Sequence, residues 1–306
     1  MTDTTHVDAD DRRAFTGSLP SPKYLVASYP VAMLVVLFGV PFCLLLVFSF
    51  YQNVEGGYFA PGFTLENYAR FLTSDLYLGR TLFTFEVSVA TALACLVLGY
   101  PLAYYLARLD GGFRRQAYLT TVVSTLWLTF IIRGYAWQVL LGERGIVTRA
   151  LAALGFVPSG EALTPGLGAL LVGMIYVFLP FMVLSLYTTI KDIDRSLEEA
   201  SRNLGAGPVT TFLRVTLPLS KNGIASGTTL VFILSLGVYV LPRLLGGPSQ
   251  WTLPVLIGNQ VGVEGNVPFG AAISVVLVVF IAVVVGGVAL IVRDSDPDPS
   301  DAEVEA

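Results

Sequence analysis

The chain has 306 residues, 54% of them hydrophobic and only 13% charged, and its mean hydropathy is +0.71. That little charge excludes an ordinary soluble domain, in which about a quarter of residues are charged. The net charge of −4 excludes the basic footprint of a nucleic-acid binder.

Residues 1–22 hold Asp3, Asp8, Asp10 and Asp11 around the single histidine, His6. Such a segment cannot bury enough apolar surface to fold, so it is expected to be a disordered tail in which His6 has no role. Residues 23–293 then carry six apolar runs, over about 25–50, 80–107, 118–141, 166–190, 222–245 and 268–292, each near the roughly 20 residues that span a bilayer. The first is longer than a signal-peptide core and no A-x-A-like site follows it, so it is read as a membrane helix. The fold class is therefore all-α, a polytopic membrane protein with six transmembrane helices. Cys43 and Cys95 both fall inside spans among apolar neighbours, which indicates neither a disulfide nor a metal site.

Within the spans, Glu86 and Arg133 need an account, because an unpaired charge near mid-bilayer costs several kcal/mol. Their depths, about 9 and 12 Å from one membrane face at 1.5 Å per residue, permit a cross-helix ion pair; the alternative is that Glu86 faces a pathway and meets a cationic solute. Tyr100, Tyr104, Tyr105, Tyr135, Trp137, Tyr176 and Tyr187 suit membrane interfaces and, secondarily, cation–π contact. Pro41, Pro101, Pro180 and Pro242 are positioned to kink helices in or near span ends.

Lys and Arg number twelve in the two tails and the second and fourth loops, against five in the other loops. Both termini and the fourth loop, about 191–220, are thus expected on the cytoplasmic side. That loop reads "SLEEASRNLGAGPVTTFLRVTLP" over Ser196–Pro218. Ser196 and Glu199 have capping-box spacing. Leu197, Ala200, Ser201 and Leu204 make one small, largely apolar stripe, while Glu198 and Arg202 at i, i+4 are expected to face away and pair. Gly205 suits a left-handed helix end and Pro208 the first turn of a second helix. "GAGPVT" lacks the phosphate-loop pattern and no strand precedes it, so the chain is not expected to bind nucleotide. The last thirteen residues, 294–306, carry six carboxylates and are expected to form a second disordered tail.

"EEASRNLGAGPVTTFLRVTLP" resembles the EAA loop of permease subunits in binding-protein-dependent ABC importers, whose pattern is E-A-A, three residues, G, nine residues, I-x-L-P. Glu199, Ala200, Ser201, Gly205, Val215, Leu217 and Pro218 occupy those positions, with Ser201 for the second Ala and Val215 for Ile. "FTLENYARFL", "IIRGYAWQVLLG", "LVFILSLGVYVLPRLLGGPSQ" and "PFGAAISVVL" are similar to segments of spermidine/putrescine permeases. Other branches of the family carry thiamine, ferric iron, phosphonates or opines. The resemblance implies a type I ABC importer permease fold in the cell membrane, without cofactor or catalytic residues of its own. Its implied partners are two copies of an ATPase, a second permease and an extracytoplasmic solute-binding protein. It makes the first helix of the loop a coupling helix on the ATPase. A self-contained secondary carrier is the competing class; it calls for midplane ion sites and often internal repeats, and the spans hold few ionisable groups.

Overall fold

The computed structural model describes residues 29–54, 59–158 and 160–294, of which 288–294 by backbone alone. The expected N-terminal tail with His6, and the C-terminal tail apart from Asp294, lie outside the described residues. Among the described residues every regular element is a helix; the only β pairing is an isolated bridge between Gln52 and Ala60.

The chain forms two compact units, Met1–Leu45 and Leu46–Ala306. The described part of the first belongs to α1, Tyr29–Ser49, a 21-residue helix with a π turn at Val35–Gly39. Its Val, Leu and Phe side chains run around the whole helix, as lipid requires, and the helix satisfies its backbone polar groups internally.

The second unit opens on α2, Glu66–Thr73. Here Asn67 ties the chain entry down, giving its Nδ2 to the Ser49 and Tyr51 carbonyls at 3.0 Å each. The 34-residue α3, Asp75–Arg108, continues through Pro101. After it come α4, Phe113–Ser124, then α5, Phe130–Leu141, and α6, Ile146–Ala153.

The single span expected over 118–141 is not straight: Phe113–Trp127 and Phe130–Ala153 meet at 96°. Two side chains supply the hydrogen bonds that a continuous helix would have made at the break. Thr129 caps α5 through Oγ1 to the Ile132 N–H at 3.4 Å, and Arg133 donates from Nη2 and Nε to the Leu128 carbonyl at 2.7 and 3.1 Å.

Next are α7, Leu167–Asp192, and α8, Arg195–Asn203. Residues 208–219 form α9, in which a π turn at Phe212–Thr216 joins two short α segments. The remaining helices are α10, Lys221–Leu236, α11, Val240–Leu245, α12, Leu253–Gly262, and α13, Val267–Asp294.

The span expected over 222–245 also breaks. Pro242 has no N–H and its ring clashes with the carbonyl four residues back, so α10 stops after 16 residues and Pro242 sits in the first turn of a new helix. Among the described residues four helices are long and apolar enough to cross a membrane, five if the bent pair is counted as one span, against the six expected.

The core of the second unit is the contact of α3, α7 and α10, where Cys95, Ala103, Leu106, Met174, Met182, Leu186 and Val231 are fully buried. Lipid is as apolar as leucine, so close approach at small residues does much of the work in such a core. A Cβ on Gly227 of α10 lies 2.9 Å from Met182 Sδ, and one on Gly99 of α3 lies 3.1 Å from Met182 Cγ. A second cluster, Phe71, Tyr77, Leu253, Phe269, Ile273 and Leu277, gathers at the other end of α3.

Candidate functional site

The polar hairpin of α8 and α9 joins α7 to α10. Its first helix starts at Asp194, whose Oδ1 accepts from the Ser196 N–H at 2.9 Å. The expected Ser196–Glu199 capping box is therefore displaced: the cap lies two residues earlier. The Ser196 backbone N–H holds the exposed Asp194 carboxyl below its ordinary value.

Gly205 ends α8 with φ +88°. The Gly205 N–H donates to the Arg202 carbonyl at 2.9 Å and the Ala206 N–H to the Ser201 carbonyl at 3.1 Å, the paired bonds of a Schellman turn. Pro208 opens α9, and Ser201 Oγ lies 3.2 Å from Thr211 Oγ1, bridging the two helices.

The face of α8 that packs onto the rest of the chain centres on Glu198. Glu198, 5% exposed, points inward instead of pairing with Arg202. Its Oε1 accepts from Arg108 Nη2 at 2.5 Å and from Thr216 Oγ1 at 2.9 Å, and its Oε2 from the Tyr104 hydroxyl at 3.4 Å. Arg108 Nη1 donates to the Ile193 carbonyl at 3.3 Å. In the opposite direction, Arg195 reaches over the end of α3, donating to the Arg108 carbonyl at 2.9 Å and Asp110 Oδ1 at 3.0 Å.

The stripe of Leu197, Ala200 and Leu204 does form one face, but it points outward. Leu204 is 89% exposed and Leu197 47%, with Val209 and Leu213 also exposed on α9. The hairpin thus buries one carboxylate, Glu198, and presents apolar side chains on its outer face beside the exposed charges of Glu199 and Arg202. Glu199, Ala200, Gly205 and Pro218 are exposed, while Ser201, Val215 and Leu217 are half-buried.

Sequence reasoning gave Glu198 to Arg202 and Tyr104 to the membrane interface, and it did not single out Arg108 or Thr216 for this site. The available signal was polar: a wholly buried Thr216 requires a polar partner within the hairpin or beneath it.

Glu86 and Arg133 do not meet. Among the described residues the ion pairs are Arg108–Glu198 and Arg195–Asp110. Arg133 is committed to backbone: besides Leu128, its Nη1 donates to the Val177 carbonyl at 3.4 Å. Glu86 is exposed on α3, beside a cleft of about 390 Å³ that also touches Asp75 and Arg80.

Long apolar helices around a tightly packed core, with a polar hairpin between two of them that leaves Leu197 and Leu204 exposed, define a polytopic membrane protein. Residues 95–295 match the family of binding-protein-dependent transport system inner membrane components, and the chain belongs to that family. It is a permease subunit of an ABC importer.

It is 34% identical over 255 residues to the spermidine/putrescine transport system permease protein PotB of Salmonella typhimurium (strain SL1344), covering 81% of this chain and 86% of that protein. It is 33% identical over 244 residues to the inner membrane ABC transporter permease protein YdcU of Escherichia coli (strain K12), covering 72% and 77%. A solved bacterial ABC transporter involved in the import of the acidic polysaccharide alginate contains a chain that superimposes with a TM-score of 0.70 at 17% identity, covering 90% of this chain and 97% of that one. The fold is accordingly that of a type I ABC importer permease.

Proposed function

We propose that α8 is the docking helix for a separate ATPase subunit, and that the solute carried is a polyamine of the spermidine/putrescine class. The outward stripe of Leu197, Ala200 and Leu204 carries the docking reading, because a cytoplasmic loop has no other reason to expose it while burying Glu198. Glu199, Ala200, Ser201 and Gly205 form or border this surface; Val215, Leu217 and Pro218 seat the second helix beneath it.

The cargo reading rests on the relatives named for spermidine and putrescine transport. A chain of the same fold occurs in an importer of an acidic polysaccharide, so the fold alone does not choose the charge of the solute. Selection belongs largely to an extracytoplasmic binding protein. The full assembly in this reading pairs the chain with a second permease and two ATPase copies, with both termini and the hairpin on the cytoplasmic face. ATP is hydrolysed on the partner.

One experiment separates the two parts. Uptake of radiolabelled spermidine and putrescine is measured in cells expressing the whole importer, with Gly205→Glu, or Glu199→Lys together with Ala200→Glu. Loss of uptake is expected, with the chain still inserted and the ATPase either released or hydrolysing without transport. Unimpaired uptake in those variants sinks the docking reading. Failure of the cognate binding protein to hold either polyamine sinks the cargo reading alone.

A further inference from the structure

The last two turns of α3 give one whole face to the hairpin. Tyr100, Tyr104 and Arg108 are spaced i, i+4, i+8, and so lie one above another along the helix. The Tyr100 hydroxyl lies 2.7 Å from Ser220 Oγ, at the junction of α9 and α10. The Tyr104 hydroxyl reaches Glu198, and the Phe212 ring of α9 stands edge-on to both tyrosines, with centroids 5.4 and 6.0 Å away. Arg108 completes the stripe with the ion pair to Glu198, whose side chains are 14% and 7% exposed.

The contact is reciprocal. Arg108 reaches from α3 into α8, and Arg195 reaches from α8 back to the carbonyl of Arg108 itself. Separating α8 from the end of α3 therefore stretches charge-assisted hydrogen bonds donated from both helices, each about twice as strong as a neutral one.

The other end of α3 is tied as well. Thr84 Oγ1 accepts from the Leu253 N–H at 2.8 Å, the Tyr77 hydroxyl from Gln260 Nε2 at 3.2 Å, and Arg80 donates to the Ser249 carbonyl. From Arg80 to Arg108 the helix rises about 40 Å at 1.5 Å per residue. One continuous helix thus runs from the hairpin to the segment around α12.

We propose that the Arg108–Glu198 and Arg195–Arg108 clasp makes α3 the driven helix of the permease: α8 and α3 move as one body, and displacement at the hairpin is delivered through α3 to the far end of the unit. This rests on α8 being the ATPase-docking helix. The covalent route through α7 alone does not carry it, since α8 hangs from α7 by Ile193 and Asp194, whereas the clasp grips the first turn of α8 from two sides, at Arg195 and at Glu198. Arg108, Glu198 and Arg195 are positioning residues in this scheme.

The test uses the assembled importer in lipid nanodiscs, in a Cys43→Ser background. Spin labels are placed on α8 and α3 through Asn203→Cys and Leu98→Cys, and the distance between them is measured without nucleotide and in the ATP–vanadate trapped state. With the clasp intact the distance is expected to be the same in both states. With Glu198→Gln and Arg195→Gln it is expected to shift on trapping beyond about 2 Å, the scale of helix displacements in switching proteins. A purely structural role for these residues moves both states alike.

The proposal is overturned if the native distance changes on trapping, or if the variant keeps the native distance in both states. Thr216→Val removes one donor to the same carboxylate oxygen without leaving a buried charge unpaired. It replaces Glu198→Gln if that variant fails to insert, with broadening of the trapped distribution expected and an unbroadened one overturning the link. A disulfide cross-link from Leu204→Cys to the ATPase tests the docking reading separately: its absence removes α8 as the driver, whereas its presence with an unlinked α3 removes only the clasp.

Discussion

Arg133 is 4% exposed and has no carboxylate partner among the described residues; it is held by the carbonyls of Leu128 and Val177 and lies 5.2 Å from the centroid of Phe130. Two terms compete at this position. Removing the cation spares a burial cost of about 2.5–3.5 kcal/mol, but it forfeits three hydrogen bonds from a charged donor, each worth about 1.5–3 kcal/mol. The bonds win, so Arg133→Met is expected to lower stability by about 1–6 kcal/mol, read as a lower Tm in detergent. Arg133→Lys keeps the charge but lacks the planar fork that serves Leu128 with two nitrogens, and it is expected to lie between the two. A Met variant as stable as its parent would mean that the Leu128 carbonyl has found another donor. The same residue marks where sequence reading stops. Depth along two straight helices placed Arg133 opposite Glu86; the carbonyl it prefers exists only because the chain breaks at Leu128, and nothing in the local composition announces that break.

The hairpin was legible in part. Gly205 and Pro208 punctuate it as their backbone preferences require, and the helix–turn–helix appears where they place it. Its orientation was not legible, since hydrophobic periodicity finds a common face but not which side is covered; here Arg108, ninety residues earlier in sequence, draws Glu198 inward and leaves Leu204 out. The N-cap was misplaced because two good caps, Asp194 and Ser196, lie within two residues, and the carboxylate took the bond. This choice has a pH signature. The Asp194 carboxyl is held below its ordinary value of 3.8 by the Ser196 N–H, so the cap contributes fully above that pH and is lost as the pH falls through the lower folded-state value. Hydrogen-exchange protection at the first turn of α8, taken relative to the intrinsic rate at each pH, is expected to stay flat down to about pH 4 and to fall below it. Asp194→Asn, which keeps an acceptor and cannot titrate, is expected to remove the acid limb. An unchanged acid limb in the Asn variant assigns the fraying to another group.

At the scale of the molecule, α3, α7 and α10 meet directly beneath the hairpin, and the hairpin is strung between two of them. Membrane class and most spans were legible from hydropathy alone, and Pro242 marked the break at 237–239; the break at residues 128–129 was not legible, because neither proline nor glycine stands in 125–133 to interrupt the apolar run. The tightness of the bundle is equally hidden in the sequence, where Gly223 and Gly227 look alike. They are not alike in space. A Cβ on Gly223 lies 2.6 Å from Thr189 Oγ1 and 2.7 Å from Thr189 Cβ, atoms fixed to the α7 backbone by a branched side chain. A Cβ on Gly227 lies 2.9 Å from Met182 Sδ, the far part of a flexible chain that can yield, and 3.2 Å from Ser185 Cβ, a contact relieved by a few tenths of an ångström. Alanine gains about 1 kcal/mol over glycine in a helix, so the two substitutions should differ in sign or size rather than share a fate. Gly227→Ala is expected within about 1 kcal/mol of the parent as Met182 swings aside. Gly223→Ala has to part α7 from α10, at a cost of about 1–3 kcal/mol net of propensity. Because α7 and α10 flank the hairpin, that parting is expected to raise hydrogen exchange in α8 as well as lower the Tm. Equal Tm values for the two variants, or faster exchange with Gly227→Ala than with Gly223→Ala, would show that the helices are not locked at Thr189 and that the hairpin stands on a looser base.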